Sequence, residues 1–147
     1  MVMFDLITTS VEETKAFGAM IANIVDDGAC ILLSGDLGAG KTVIASGIVA
    51  GKTLEDYEVT SPTFNIVQQY ESIEGKVYHF DLYRIESVSE LENIGAYEYL
   101  FDKDAISVIE WPERAPELEK MLKIVYKLTI EKVDETSRRC KIEKIKG

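Results

Sequence analysis

The chain has 147 residues, with 16 Lys and Arg against 26 Asp and Glu, a net charge of −10, one His, two Cys and 46% hydrophobic residues. A chain of this length buries roughly two thirds of its unfolded surface, so it needs neither disulfides nor a structural metal to hold a core. Cys30 and Cys140 form no Cys-x-x-Cys pair and have a single His for company, which excludes a thiolate zinc site or a Cys/His dyad and leaves two buried thiols as the expectation. The acid is concentrated: residues 1–117 carry 7 basic and 21 acidic side chains, and residues 118–147 carry 9 and 5. Such a body cannot displace counterions along a phosphate backbone, so any nucleic acid must be held mainly by a partner. Residues 1–10 contain no basic side chain and resemble no signal peptide. No apolar run approaches the ~20 residues of a membrane span, and a soluble cytoplasmic protein is expected. With no repeat, low-complexity tract or linker, residues 1–147 read as one domain.

In chain order, residues 2–8 predict a short strand. Ser10-Val-Glu-Glu13 has the capping-box spacing and opens a helix over 11–25, whose Phe17, Met20, Ile21, Ile24 and Val25 share one face. Residues 29–33 are an uninterrupted apolar run that suits a strand covered on both sides. Residues 35–40 then form a loop, and 41–50 a helix closed by Gly51. Two strands, 65–70 and 76–83, flank the turn Glu74-Gly75 as a hairpin. Ser87-Val-Ser-Glu90 repeats the capping box before a short helix. Residues 105–109 predict a second buried strand, stopped by Glu110-Trp111-Pro112, and strands 122–131 and 139–145 close the chain as a hairpin around Asp134-Glu-Thr-Ser137. The class is α/β with a small mixed parallel and antiparallel sheet flanked by helices.

Gly35-Asp-Leu-Gly-Ala-Gly-Lys-Thr42 matches the P-loop pattern of Gly, four residues, Gly, Lys and then Ser or Thr, and it sits between a predicted strand and a predicted helix. Glycines let the backbone wrap an anion so that successive amides, those of Asp36, Leu37, Gly38, Ala39, Gly40, Lys41, Thr42 and Val43, converge on phosphate, with the helix N-terminus adding positive potential. Lys41 would reach the β- and γ-phosphates of ATP and the Thr42 hydroxyl would ligate Mg2+. Such a site also needs a carboxylate at a neighbouring strand end to hold magnesium or orient water. Val77-Tyr-His-Phe-Asp81 and Ile106-Ser-Val-Ile-Glu110 both end an apolar strand with an acid, and spacing does not rank them. Trp111 is either core or a neighbour of the site. His79 reads as a hydrogen-bonded packing residue. Thr60-Ser-Pro-Thr63 is either a turn or a switch-like loop whose hydroxyls approach the γ-phosphate.

Four blocks, Gly-Asp-Leu-Gly-Ala-Gly-Lys-Thr (35–42), Ser-Pro-Thr-Phe (61–64), Tyr-His-Phe-Asp-Leu-Tyr-Arg (78–84) and Glu-Trp-Pro-Glu-Arg (110–114), resemble in order and spacing the bacterial TsaE (YjeE) family. The resemblance implies a P-loop NTPase fold and a small ATPase needed for N6-threonylcarbamoyladenosine next to the anticodon of tRNAs that read codons beginning with A. It also implies that the chain works with the TsaB and TsaD proteins, after TsaC has made threonylcarbamoyl-adenylate, and that tRNA is met only through that complex. By position, Thr42 and Glu110 look like the magnesium ligands, Asp81 lies near the γ-phosphate and catalytic water, and Trp111 neighbours Glu110. Thr9 and Glu12, and the Ser137-Arg138 turn, fall where the family closes over the nucleotide. Val43 departs from the pattern, since many members have a second Thr there, so a side-chain contact to the α-phosphate is lost while the helix amides remain. A guanine-nucleotide switch is disfavoured because no Asn/Thr-Lys-x-Asp segment is present. A small-molecule P-loop kinase and a nucleotide-dependent interaction module are the rival readings, both built on the same loop.

Overall fold

The apolar run at residues 29–33 becomes a central strand, and the other elements are laid down on either side of it. In the computed structural model, which describes residues 1–62 and 64–147, β2 (Cys30–Ser34) lies between β5 (Ala105–Glu110) and β6 (Val125–Lys132) and runs parallel to both. β4 (Gly75–Asp81) extends the parallel core beyond β5, and β3 (Val67–Ser72) pairs antiparallel with it. On the opposite side β7 (Arg138–Lys146) and β1 (Val2–Thr8) add antiparallel strands. The result is the expected mixed sheet, with 7 strands in the order β1-β7-β6-β2-β5-β4-β3. Both expected hairpins, β3–β4 and β6–β7, are present.

Alternation along β2 divides the core between two faces. Ile31 and Leu33 pack with Phe17 and Ile21 of α1 (Val11–Ile24) and with Ile44 and Ile48 of α2 (Lys41–Thr53). Cys30 and Leu32 pack on the other face with Leu91 of α3 (Val88–Asn93), Leu100 of α4 (Ala96–Leu100) and Leu118 of α5 (Leu118–Met121). Both cysteines are free and buried. Burial pushes the Cys30 thiol up to about 12 and raises that of Cys140 as well, so neither supplies a thiolate. No helix among the described residues is long and apolar enough to cross a membrane.

Helices α1 and α2 meet backbone to backbone. A Cβ on Gly47 would stand 2.1 Å from the Lys15 carbonyl oxygen, and one on Gly51 would stand 2.5 Å from that of Ala19. This contact corrects the expectation that Gly51 closes α2. The helix continues to Thr53 and ends at Leu54, which takes the left-handed conformation at φ 58° and donates its N–H to the Ala50 carbonyl. Gly51 marks a helix crossing, where a missing side chain brings two backbones together.

The two capping boxes also part company. Ser10 Oγ accepts from the Glu13 N–H at 3.1 Å as expected, but the Glu13 carboxylate reaches one residue further back, taking the Thr9 N–H at 2.9 Å and the Thr9 hydroxyl at 3.1 Å. At the second box Ser87 makes no cap bond, because the Ser89 hydroxyl engages its Oγ at 2.8 Å. Glu90 accepts from the Glu86 N–H at 2.7 Å instead.

Candidate nucleotide-binding site

The loop between β2 and α2 can curl only because of its glycines. Gly38 has φ 79° and Gly40, the N-cap of α2, has φ 104°, both in the left-handed region that side-chain-bearing residues avoid. The first turn of α2 carries no acidic residue and Gly40 supplies no side-chain cap. Its leading amides therefore lack intrahelical partners, and their positive potential is not neutralised by the helix itself.

A cleft of about 600 Å³ opens over this end of the helix. Its floor brings together residues from distant parts of the chain. Asp81 ends β4 and Glu110 ends β5, and the two are direct partners in the parallel β4–β5 register. Both are nearly buried, at 5% and 3% exposure, and both line the cleft with Lys41 and Thr42. The Asp81 carboxylate accepts from the Ser61 hydroxyl at 2.6 Å and from the Tyr83 N–H at 2.9 Å. Glu110 Oε2 meets His79 Nε2 at 2.5 Å.

Lys41 is buried, and its ammonium sits 4.1 Å from the centroid of the Trp111 ring, where the aromatic face attracts a cation. Trp111 is itself strained. It is held at φ 58° immediately before Pro112, a conformation disfavoured both for a side-chain-bearing residue and for a residue preceding proline. Tyr83 packs against it with ring centroids 4.9 Å apart. From β7, Arg138 grips the loop through Nε to the Ala39 carbonyl at 2.8 Å, with its Nη1 anchored on the Asp134 carbonyl at 2.8 Å.

Of the residues expected from sequence, Leu37, Gly38, Gly40, Lys41, Thr42, Val43, Asp81, Glu110 and Arg138 line the cleft. Asp36 and Ala39 shape the loop without lining it, through an Ala39 N–H to Asp36 carbonyl bond of 3.0 Å that leaves the Ala39 methyl buried. Thr9 and Glu12 are not brought into the cleft. Thr9 is tied to Glu13, and its neighbours Ser10 and Thr14 border a small adjoining hollow with Gly40, Val43 and Arg138. In the Thr60-Ser-Pro-Thr63 segment Ser61 faces the cleft, Thr60 is exposed, and Thr63 lies outside the described residues. Sequence reasoning missed Tyr83 as a lining residue and did not connect His79 to Glu110. The period-2 alternation of Val77, His79 and Asp81 was the available signal, because it places His79 on the face of Asp81.

The donor set suits magnesium. Carboxylate and hydroxyl oxygens are hard ligands, and Mg2+ is ordinarily held by one or two protein oxygens plus phosphate and water. Among the described residues no group of three or more His, Cys, Asp or Glu could hold a metal ion.

The family described as "Threonylcarbamoyl adenosine biosynthesis protein TsaE" matches residues 8–140, which include the loop, both strand-end carboxylates and Arg138. The chain belongs to the TsaE family. Its relatives include the TsaE protein of Rickettsia felis, 35% identical over 137 residues that cover 93% of this chain and 78% of that one. The TsaE protein of Borreliella burgdorferi is 46% identical over 88 residues, which cover 60% of this chain and 63% of that one, so the chain spans under two thirds of that relative's length. The crystal structure of Bacillus subtilus YdiB superposes with a TM-score of 0.71 at 26% identity, covering 100% of this chain and 88% of that one. TsaE membership places the chain in tRNA threonylcarbamoyladenosine biosynthesis, and the sheet, loop and helix arrangement is the P-loop NTPase fold expected from the sequence.

Proposed function

We propose that the chain is a magnesium-dependent ATPase that works in the cytoplasm with TsaB and TsaD to make N6-threonylcarbamoyladenosine next to the anticodon of tRNAs reading codons that begin with A. The observation that carries the reading is the convergence of the P-loop with two nearly buried strand-end carboxylates in one cleft. The amides of residues 36–43 bind the phosphates, and Lys41 neutralises their charge. Thr42 and Glu110 hold magnesium. When bound, the ion would neutralise phosphate charge. Asp81, oriented by Ser61 and Tyr83, would position water for attack on the γ-phosphate. Lys41 reaches phosphate by leaving the Trp111 ring, so occupancy of the loop is felt at a strained residue on the cleft wall. Ser61 is likewise tied to a carboxylate that senses the γ-phosphate. The 60–63 segment and the face around Trp111 are thus the parts through which nucleotide state reaches TsaB and TsaD. The net charge of −10 supports tRNA contact only through that complex.

A small-molecule kinase needs an arginine-bearing lid over the transferred phosphate. Arg84 lies on the Phe64 ring, Arg114 on the Tyr83 ring and Arg139 on Asp5, and Arg138 is engaged with loop carbonyls. An interaction module gated by ATP shares the ATPase reading's loop and differs only in what turnover is for. Reconstitution of tRNA modification with and without this chain, with ATP turnover followed in parallel, separates the ATPase from the kinase. The reading expects slow basal hydrolysis that rises with TsaB and TsaD and modification that depends on the chain. Phosphate transfer to a metabolite would support the kinase.

A further inference from the structure

His79, the chain's one histidine, lies in the interior of β4 at 0% exposure. It shares the α2-side face of the sheet with Val77 and Asp81, and its register partner on β5 is Val108, two residues before Glu110. Its Nε2 contacts Glu110 Oε2, while its Nδ1 is buried and has no hydrogen-bond partner among the described residues. An ionised carboxylate oxygen can only accept, so the contact pairs Glu110 with the tautomer that carries its hydrogen on Nε2. Packing alone does not account for the residue. A buried central strand is best filled by Val or Ile, and an imidazole with one bare buried nitrogen costs free energy that such residues avoid. Among the described residues, the ring's polar partner is Glu110.

We propose that His79 is a positioning residue for the proposed magnesium carboxylate: its Nε2–H holds Glu110 Oε2, fixing the side chain so that Oε1 is presented to the cleft. Partners of this kind orient ligands, and their loss typically lowers metal affinity by about 10- to 100-fold. Holding the carboxylate in place also spares it the entropy of ordering when magnesium and nucleotide arrive. The inference rests on the nucleotide-site reading above and adds to it a donor that acts through Glu110 without touching ATP.

The test is calorimetric titration of a non-hydrolysable ATP analogue into the full chain over a magnesium series and in EDTA. His79→Phe keeps the ring and removes the donor, and His79→Gln keeps an N–H near the position of Nε2. His79→Phe is expected to raise the magnesium concentration for half-maximal binding by about 10-fold or more while leaving affinity in EDTA unchanged, and His79→Gln to stay near wild type. An unchanged magnesium midpoint in His79→Phe overturns the proposal. So does a loss that is equal in EDTA and in magnesium, the mark of a merely structural role, or a Gln variant shifted as far as Phe. If His79→Phe does not fold, His79→Asn takes its place, because its shorter amide falls short of Glu110. A midpoint shift in Asn that is absent in Gln supports the proposal, and equal midpoints overturn it. A wild-type chain that binds no nucleotide in any buffer brings down the nucleotide reading first, and this inference with it.

Discussion

Replacing Gly47 by Ala sets two effects of known sign against each other. In a helix interior the exchange gains about 1 kcal/mol of propensity. At this position the added methyl would stand 2.1 Å from the Lys15 carbonyl oxygen and 2.9 Å from its carbon, both backbone atoms that no rotamer change can move. Restoring a contact of about 3.2 Å or more requires α1 and α2 to separate by roughly 1 Å, and overpacking on that scale costs about 1–3 kcal/mol, or more where backbone must shift. The crossing also packs Phe17, Ile21, Ile44 and Ile48 into one core, so separation loosens apolar contacts at about 25 cal/mol per Å² exposed. Overpacking less propensity leaves a loss of up to about 2 kcal/mol, and the loosened apolar contacts bring the net to about 1–3 kcal/mol, read as a fall in Tm of roughly 2–12 °C for a domain of this size. Because α2 begins at Lys41, magnesium–nucleotide affinity should fall as well. The assay is thermal unfolding by circular dichroism, paired with nucleotide titration. Gly95→Ala is the control, since nothing lies within 4 Å of a Cβ there and only its φ of +74° is strained. A Gly47→Ala protein as stable as wild type, or more stable, would refute the close-contact reading of the crossing.

Glu110→Ala is expected to weaken magnesium-dependent nucleotide binding, whereas Asp81→Ala chiefly lowers turnover; magnesium-titrated binding beside hydrolysis rates separates them, and the reverse pattern would exchange their roles. Asp102 is held below the usual carboxylate range, first by its hydrogen bond from Lys76 and then, against the opposing effect of burial, by bonds that include one from Tyr78. A depressed acid stabilises the fold above its unfolded value of about 3.9 and loses that contribution as pH falls through the folded value. Asp102→Asn should therefore lower Tm at pH 7, with the gap to wild type closing as the pH drops below about 4; a gap that is constant with pH would contradict the pairing. The isolated chain should show no appreciable affinity for tRNA at physiological salt, and fluorescence anisotropy with labelled tRNA checks it.

What the sequence disclosed follows the range over which each feature is encoded. The P-loop was legible because strand, glycines, Lys41 and helix are contiguous, and local backbone demands select those residues at that spacing. Asp81 and Glu110 were legible singly, as acids ending apolar strands. Their adjacency was not, because it depends on β4 pairing with β5 across an intervening segment that includes α3 and α4. The His79–Glu110 contact lay hidden for the same reason. Gly51 misled because a glycine late in a helix can serve as a cap or as a contact, and only the position of Ala19 on α1 distinguishes the two. Ser87 misled because the competitor for its hydroxyl, Ser89, lies inside the same four-residue pattern. The left-handed backbone of Trp111 had no sequence signal, since a residue before proline is expected to be extended. Thr9 was placed near the nucleotide by resemblance alone; it is bonded to Glu13 and does not line the cleft.

In the proposed function, Lys41, at the mouth of α2, governs ATP turnover with TsaB and TsaD. Phosphate release measured for wild type and Lys41→Ala, each with ATP, magnesium and the TsaB–TsaD complex, tests it most directly. The recorded contact of the Lys41 ammonium among the described residues is with the Trp111 ring, so the variant should keep a native circular dichroism spectrum while its turnover falls to background. Wild-type turnover in a folded Lys41→Ala protein would contradict the account.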